Sequence, residues 1–171
     1  MNIPVSMKRY KVLFVFFCIL GFCGHFRAAA QEMPPRPVSA SFIQNLAFGA
    51  FAPSGSGGTV TVSPQGIRFA VGNIVLVGLG YLYYPAIFGL EGNPGTILHP
   101  LNGPDAILPG SNGGSITLQL GTTNPGDPII LNVAPPNQMQ VTLGGSLLVG
   151  DILSNPPGYY SGSFSIMFIQ E

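Results

Sequence analysis

Past the first thirty residues, no window of ten or more keeps a helical period without a glycine or proline breaking it. With 24 glycines and 17 prolines in 171 residues, turns must be frequent and the segments between them short. Several of those segments alternate. From Tyr160 onward, Tyr160, Gly162, Phe164, Ile166 and Phe168 fall on one side, and Ser161, Ser163, Ser165, Met167 and Ile169 on the other. A period of two with aromatic and β-branched residues predicts a strand with one large apolar face, and this strand closes the fold. The length suits one domain with a real core. The expected architecture is all-β, a single antiparallel β-sandwich with Ig-like or jelly-roll connections and roughly eight to ten short strands.

The N-terminal part follows different rules. Lys8, Arg9 and Lys11 precede an apolar run from Val12 to Cys23, and Ala28-Ala29-Ala30 follows. This order predicts a secretory signal-peptide helix over residues 1–30, cleaved between Ala30 and Gln31. The run is about a dozen residues, short of the roughly 20 a spanning helix needs, so no membrane span is expected after cleavage. Phe22 stands where a lipoprotein signal needs a small residue before its cysteine, which argues against a lipid anchor on Cys23. Both cysteines lie in the segment expected to be removed, so no disulfide is expected in the exported domain. The expected location is secreted, in the periplasm or at the cell surface.

Residues 31–37 (QEMPPRP) read as a Pro-rich leader, and 38–171 as the domain. Beyond Ala30, Arg36 and Arg68 face six acids, a net charge of −4, with no lysine. A phosphate backbone needs clustered Lys and Arg, so nucleic acid is not an expected partner.

Along the domain, Val38, Ala40 and Phe42 alternate as a first strand; the functional alternative is a strand donated to a neighbour. A Ser/Gly loop from Ser54 to Gly58, a strand from Thr59 to Ser63 and a Pro64-Gln65-Gly66 turn follow. Asn73–Val77 reads as a buried strand, and Tyr81–Leu90 as a strand broken at Pro85. Gly92–Gly95 and Asn102–Gly114 read as loops around a short Thr96–Leu98 segment. Ser115–Leu120, Ile129–Val133, Gln138–Leu143 and Ser146–Val149 read as further strands. Gly-Gly followed by a hydroxyl residue recurs at Gly57-Gly58, Gly113-Gly114 and Gly144-Gly145, at spacings of 56 and 31 residues. Unequal spacing rules out a fixed-period solenoid and predicts a shared device in which glycines make a tight turn before a strand.

Three stretches carry a resemblance. QNLAFG with Phe51 after it, GGTVTVSP with Gly66 and Arg68 after it, and the terminal YSGSFSI resemble a family of secreted bacterial domains known as domain of unknown function 4402. The resemblance covers most of the exported chain and implies fold and secretion. The closing strand is also similar to that of spore-coat protein U domains and of chaperone-usher pilins. Like the pilin assembly strand it has a glycine, Gly158, and alternating Phe164, Ile166 and Phe168 near the chain end, with Gln170 where pilins carry an aromatic. This similarity implies assembly by strand addition through Gly158, Tyr160, Phe164, Ile166 and Phe168. The implied partners are further subunits, its own or others, and a periplasmic chaperone.

Enzyme chemistry finds little to work with. His99 is the one histidine past the leader, read as a loop surface residue, and no G-x-S-x-G surrounds a serine. One histidine without cysteine does not make a zinc site. Gly78 and Gly80 lack the third glycine of a dinucleotide loop, where Tyr83 stands. Glu91, Asp105, Asp127 and Asp151 each lie within two residues of Gly or Pro, as turn formers do, rather than as a glycosidase pair. Asn102, Asp105, Asn112, Asn124 and Asp127 could offer oxygen ligands to calcium, but they lack a spaced acidic loop, and turn chemistry explains them better. No catalytic residue, metal or cofactor is expected. The leading expectation is a non-enzymatic, fimbria-like surface subunit. The alternative is a monomeric carbohydrate- or surface-binding adhesin module stacking sugars on Tyr81, Tyr83 and Tyr84.

Overall fold

The computed structural model describes residues 37–171; the expected signal peptide, its cleavage point at Ala30 and Gln31, and most of the leader lie outside them. Among the described residues there are twelve strands and no helix. They are β1 (Ser39–Gln44), β2 (Ala47–Phe48), β3 (Ala50–Val62), β4 (Arg68–Val77), β5 (Tyr83–Tyr84), β6 (Ala86–Glu91), β7 (Ile97–Asn102), β8 (Ala106–Pro109), β9 (Ser115–Asn124), β10 (Ile129–Ile130), β11 (Met139–Val149) and β12 (Ile166–Gln170). The surplus over the expected count comes from the two-residue strands β2, β5 and β10.

All named pairings are antiparallel, and β11 is their hub. One edge of β11 takes β9, from Thr142 opposite Asn124 to Leu148 opposite Thr117. Its other edge takes β6 along Met139–Leu143 and then β3 along Gly145–Val149. β1 extends the sheet beyond β6, β4 beyond β3, and β8 beyond β9. Gly144 marks the change of partner. A Cβ there would lie 2.6 Å from the Val62 carbonyl oxygen and 2.8 Å from Pro64 Cδ, so the two branches meet only because the position is bare. The expected break between Leu143 and Ser146 is therefore a continuous strand whose glycines serve close approach. Of the three Gly-Gly pairs, only Gly113-Gly114 makes a turn with two positive φ values, 90° and 71°.

The Ser/Gly stretch expected as a loop is a bulge within β3. Pro53 pairs Ile74 and Gly58 pairs Gly72, so three extra residues bend the β3–β4 hairpin. The bend brings Phe51, Ile74 and Leu76 onto the same core as Val60 and Val62. Arg68, the one basic residue past residue 36, holds this arrangement: its Nη1 donates to the Phe48 and Ala50 carbonyls at 3.0 and 3.4 Å, and its guanidinium lies 4.3 Å from the Tyr83 ring centre. Asn73–Val77, expected as a buried strand, is the end of β4 at the sheet margin, with Val75 exposed. The region expected as loop from Asn102 to Gly114 contains β8.

A second sheet, in the order β10-β7-β12, covers part of the large sheet. Leu90 and Val141 below meet Leu98, Ile129 and Leu131, all buried. A second buried group joins Val60, Val62, Leu108, Ile116, Leu118, Leu147 and Val149, and a third Ala86, Phe88 and Leu143. Each fully buried Leu or Ile contributes about 1.5–3 kcal/mol. With no cysteine past residue 36, this burial is the main source of stability.

The segment after β11 is tied down by short-range bonds. Asn155, buried, donates from Nδ2 to the Ser115 carbonyl at 2.6 Å and accepts from the Gly150 amide. Asp151 accepts from the Ser154 amide at 2.7 Å, and that bond holds its carboxyl below the usual carboxylate range.

Two outcomes follow. Gly144→Ala should destabilise by about 1–3 kcal/mol in urea unfolding, because the methyl meets backbone that cannot yield, whereas Gly126→Ala, with nothing within 4 Å of its added Cβ, should stay within about 0.5 kcal/mol. The depressed Asp151 carboxyl stabilises above its unfolded value near pH ~3.9, and that contribution is lost as pH falls through the folded value. The stability gap between wild type and Asp151→Asn should thus narrow in acid, as read by unfolding series between neutral pH and pH ~2.

Candidate functional site

The closing stretch keeps its expected facing but enters a ladder late. Tyr160, Phe164, Ile166 and Phe168 are half-buried, while Ser161, Ser163, Ser165, Met167 and Ile169 are exposed. Gly158 lies in an exposed loop. Tyr160 forms a single bridge with Gly110, packs on the core beside Leu108 and donates its hydroxyl to the Pro156 carbonyl at 2.7 Å. From Ser161 to Ser165 the chain crosses from β8 to β7, held by the Ser161 amide on the Pro109 carbonyl at 3.4 Å and by the Gly103 amide on the Ser165 carbonyl at 2.9 Å. Phe164 packs against two of the buried groups on the way. Only Ile166–Gln170 forms regular strand, β12.

β12 pairs with β7 without a register shift, from Ile166 opposite Asn102 to Gln170 opposite Leu98. Among the described residues it has no partner on its other edge. The Gly103–Ser165 bond and the Glu171 amide on the Ile97 carbonyl, 3.2 Å, mark the bonded positions. The alternation of an antiparallel ladder then turns the backbone groups of Met167 and Ile169 towards β7, and those of Ile166, Phe168 and Gln170 away from it. The missing N–H of Pro100, opposite Phe168, falls on the β10 side, where pairing stops at Leu98.

The floor beside this edge is also uncovered. Phe168 stacks edge-on against Phe88 of β6, centres 5.7 Å apart. Phe42 of β1 lies directly opposite Phe88 in the register, with centres 5.8 Å apart, and so faces the same interior side. Yet Phe42 is 56% exposed. Phe42 is thus an exposed ring next to the buried Phe88, whereas Val38, just ahead of β1, is covered by its packing with Leu98, Ile129 and Leu131. Asn102 Nδ2 donates to the Gly121 carbonyl at 2.8 Å, tying β7 to β9.

The other margins are interrupted. β1 has a bulge between Phe42 and Gln44, β4 bends at Gly72, β8 has four residues and ends in Pro109, and β10 has two. β12 carries no charge, proline or bulge, and its outer face presents Met167 and Ile169, 58% and 50% exposed. An edge of this kind is a template for another strand. Val38, Ala40 and Phe42, the alternative donor stretch, run into β1 paired with their own chain's β6. Sequence reasoning did not pick out Phe42 as an exposed ring beside Phe88; its alternation was visible, but not how much of its face would stay uncovered.

The remaining candidates are dispersed. Arg68 lies over one face of Tyr83, which is still 45% exposed, and Tyr84, its neighbour on β5, is half-buried. Tyr81 instead meets Tyr159, edge-on at 6.3 Å with hydroxyls 3.1 Å apart, and that bond raises the Tyr81 phenol above its ordinary range. Tyr159, 71% exposed, is an aromatic partner that sequence reasoning missed. Of the Asn and Asp residues weighed for calcium, Asp105 accepts from Gln119 at 2.9 Å and Asn112 donates to the Pro157 carbonyl at 2.6 Å. Asn102 and Asp127 share a cleft of about 220 Å³ with Pro100, Gly126 and Gly121–Thr123. The buried Thr123 hydroxyl has no hydrogen-bond partner among the described residues. No group of three His, Cys, Asp or Glu able to hold a metal occurs among the described residues. His99 lies in β7 rather than in a loop, its Nδ1 2.6 Å from Asp127 Oδ1 and its Nε2 3.8 Å from Glu171 Oε2.

No curated protein and no solved structure matches the chain. A family model does, across residues 38–169, from just ahead of β1 to the penultimate residue of β12. The span takes in β11 with its change of partner and most of β12 alike, and the chain belongs to the family described as domain of unknown function (DUF4402).

Proposed function

We propose that this protein is an exported, non-enzymatic structural subunit that joins its partners by strand addition at the free edge of β12. The observation that carries the reading is the coincidence of two features at one place. Outward-turned backbone groups at Ile166, Phe168 and Gln170 lie beside an exposed aromatic floor at Phe42. Main-chain bonds supply affinity in strand addition, and alternate side-chain contacts supply specificity. The export signal expected from the sequence supports a periplasmic or cell-surface location, where a periplasmic chaperone would hold the edge before assembly. A second reading, a monomeric carbohydrate-binding adhesin, draws support from the exposed Tyr81–Tyr159 pair alone. It predicts glycan-array binding that is lost on Tyr81→Ala and on Tyr159→Ala.

The strand-addition reading predicts SDS-sensitive multimers, or a co-purifying chaperone, lost on removing residues 160–171. Because that deletion also strips Phe164 and Phe168 from the core, Gln170→Pro is the cleaner variant. It removes one outward N–H and leaves the bonds to β7 in place. Native gels should show multimers for wild type and monomer for Gln170→Pro; multimers that survive both changes would sink the reading.

A further inference from the structure

The outer face of the large sheet changes character at Gly144. On the β6 side of it the outward row of Gln140, Gly89 and Ser41 is polar, with Ser41 donating to Gln138 at 3.0 Å. That is the ordinary condition of a sheet with one face in water. On the other side an unbroken row of directly opposed residues, Ile107, Thr117, Leu148, Thr59 and Val71, crosses β8, β9, β11, β3 and β4. Buried Ile116, Leu118, Leu147 and Val60 alternate with it along the strands, so the row points away from the core. Its aliphatic members stand on alternate strands and are 60%, 42% and 63% exposed, while the threonines between them are half-buried. In the next row exposed Phe69 lies opposite Thr61, whose hydroxyl meets that of Ser146 at 2.8 Å. β4 thus carries apolar residues on both faces, the pattern of a covered strand.

We propose that this face is covered by the same face of a second copy, about a two-fold axis that runs along the strands between β11 and β3. Strands lie about 4.8 Å apart, so Ile107, Leu148 and Val71 form ridges about 10 Å apart with threonine furrows between them. The two-fold sets Leu148 of each copy in the furrow at Thr59 of the other, and Val71 in the furrow at Thr117, a self-complementary contact. An axis through Leu148 itself would set ridge on ridge. Charge points to the same occupant. Past residue 30 the net charge is −4, so two copies repel unless they meet where no charge stands, and neither row holds an ionisable residue. Asp105, just ahead of β8 and bonded to Gln119 at 2.9 Å, falls on the strand line that the two-fold leaves beyond β4 of the other copy. Four strands overlap, about 19 Å across and about 20 Å long. The two copies together bury on the order of 800 Å², the size of a weak, transient contact. Interfaces of twice that area start at micromolar affinity, so this dimer is weaker than about 1 µM.

The contact is independent of strand addition at β12, and sedimentation equilibrium on the purified protein tests it. The average mass of wild type should climb towards twice the monomer's between about 10 µM and 1 mM. Val71→Lys and Thr117→Glu each bury an unpaired charge in the contact, and each should hold the monomer mass at the highest concentration; should one fail to fold, the other decides. Gln140→Glu, on the polar part of the same face, adds the same charge as Thr117→Glu and should dimerise like wild type. Positions 71 and 117 are three strand spacings, about 14 Å, apart within one chain. The double variant should therefore regain the dimer through pairs between copies, and lose it again in high salt. Gln170→Pro should dimerise like wild type here, whereas on a native gel a contact this weak comes apart and only strand-linked multimers persist. A wild type that stays monomeric throughout, or a dimer that tolerates both single charges, overturns the proposal. Loss in Gln170→Pro with survival in the face variants overturns it while strand addition stands. Single variants that dissociate and a double that does not recover overturn the two-fold assigned.

Discussion

Everything in this domain hangs on the backbone ladder of β11, which is saturated along both edges. Thr142 and Leu143 pair at once with β6 and β9, and Ser146 and Leu147 with β3 and β9. Two branches that never pair with each other are thereby held in one sheet. The inward residues of the hub, Val141, Leu143, Leu147 and Val149, then reach all three buried groups. Hydrogen bonds fix which strands are neighbours and burial fixes which face is inside, and β11 supplies both. The bare Cα of Gly144 is what lets one edge serve two partners.

The hub explains which parts of the fold were legible in advance. Alternation reveals a strand's two faces, so the sandwich class, the first strand through Phe42 and the facing of Phe164, Ile166 and Phe168 could all be read from the chain. Glycine is ambiguous because it relieves a turn and a close approach equally well. Gly113-Gly114 does the first and Gly144-Gly145 the second, and nothing local separates them. The Ser54–Gly58 stretch misleads for a related reason: its composition is that of a loop, but pairing on both sides of it makes it a bulge. Asn73–Val77 has the composition of a central strand, yet its place at the margin is decided by the order of pairing, which is a property of the whole chain.

The candidate site was half legible on the same grounds. Apolar residues at alternate positions in the last strand are visible in the sequence, but whether anything lies beside that strand depends on how two sheets are stacked. Phe42 and Phe168 are 126 residues apart in the chain, and only Phe88 between them brings the two into one row. Sequence distance of that size hides the row, just as it hides the contact of Tyr81 with Tyr159.

The exposure of Phe42 has an energetic consequence. A Phe ring left half in water forgoes part of the roughly 1.5–3 kcal/mol its full burial would give, and the lost area sits next to unpaired backbone. Covering the ring and pairing the backbone are therefore satisfied by one event, the arrival of a strand. A side chain docking on Phe42 alone would leave the amides of Ile166, Phe168 and Gln170 in water. Sequestering the edge without such a strand would take a charge or a bulge in β12, as the bulge in β1 and the bend in β4 do at their own margins. The chain has those devices elsewhere and omits them here, so the open edge is a property of this strand rather than of the fold's style.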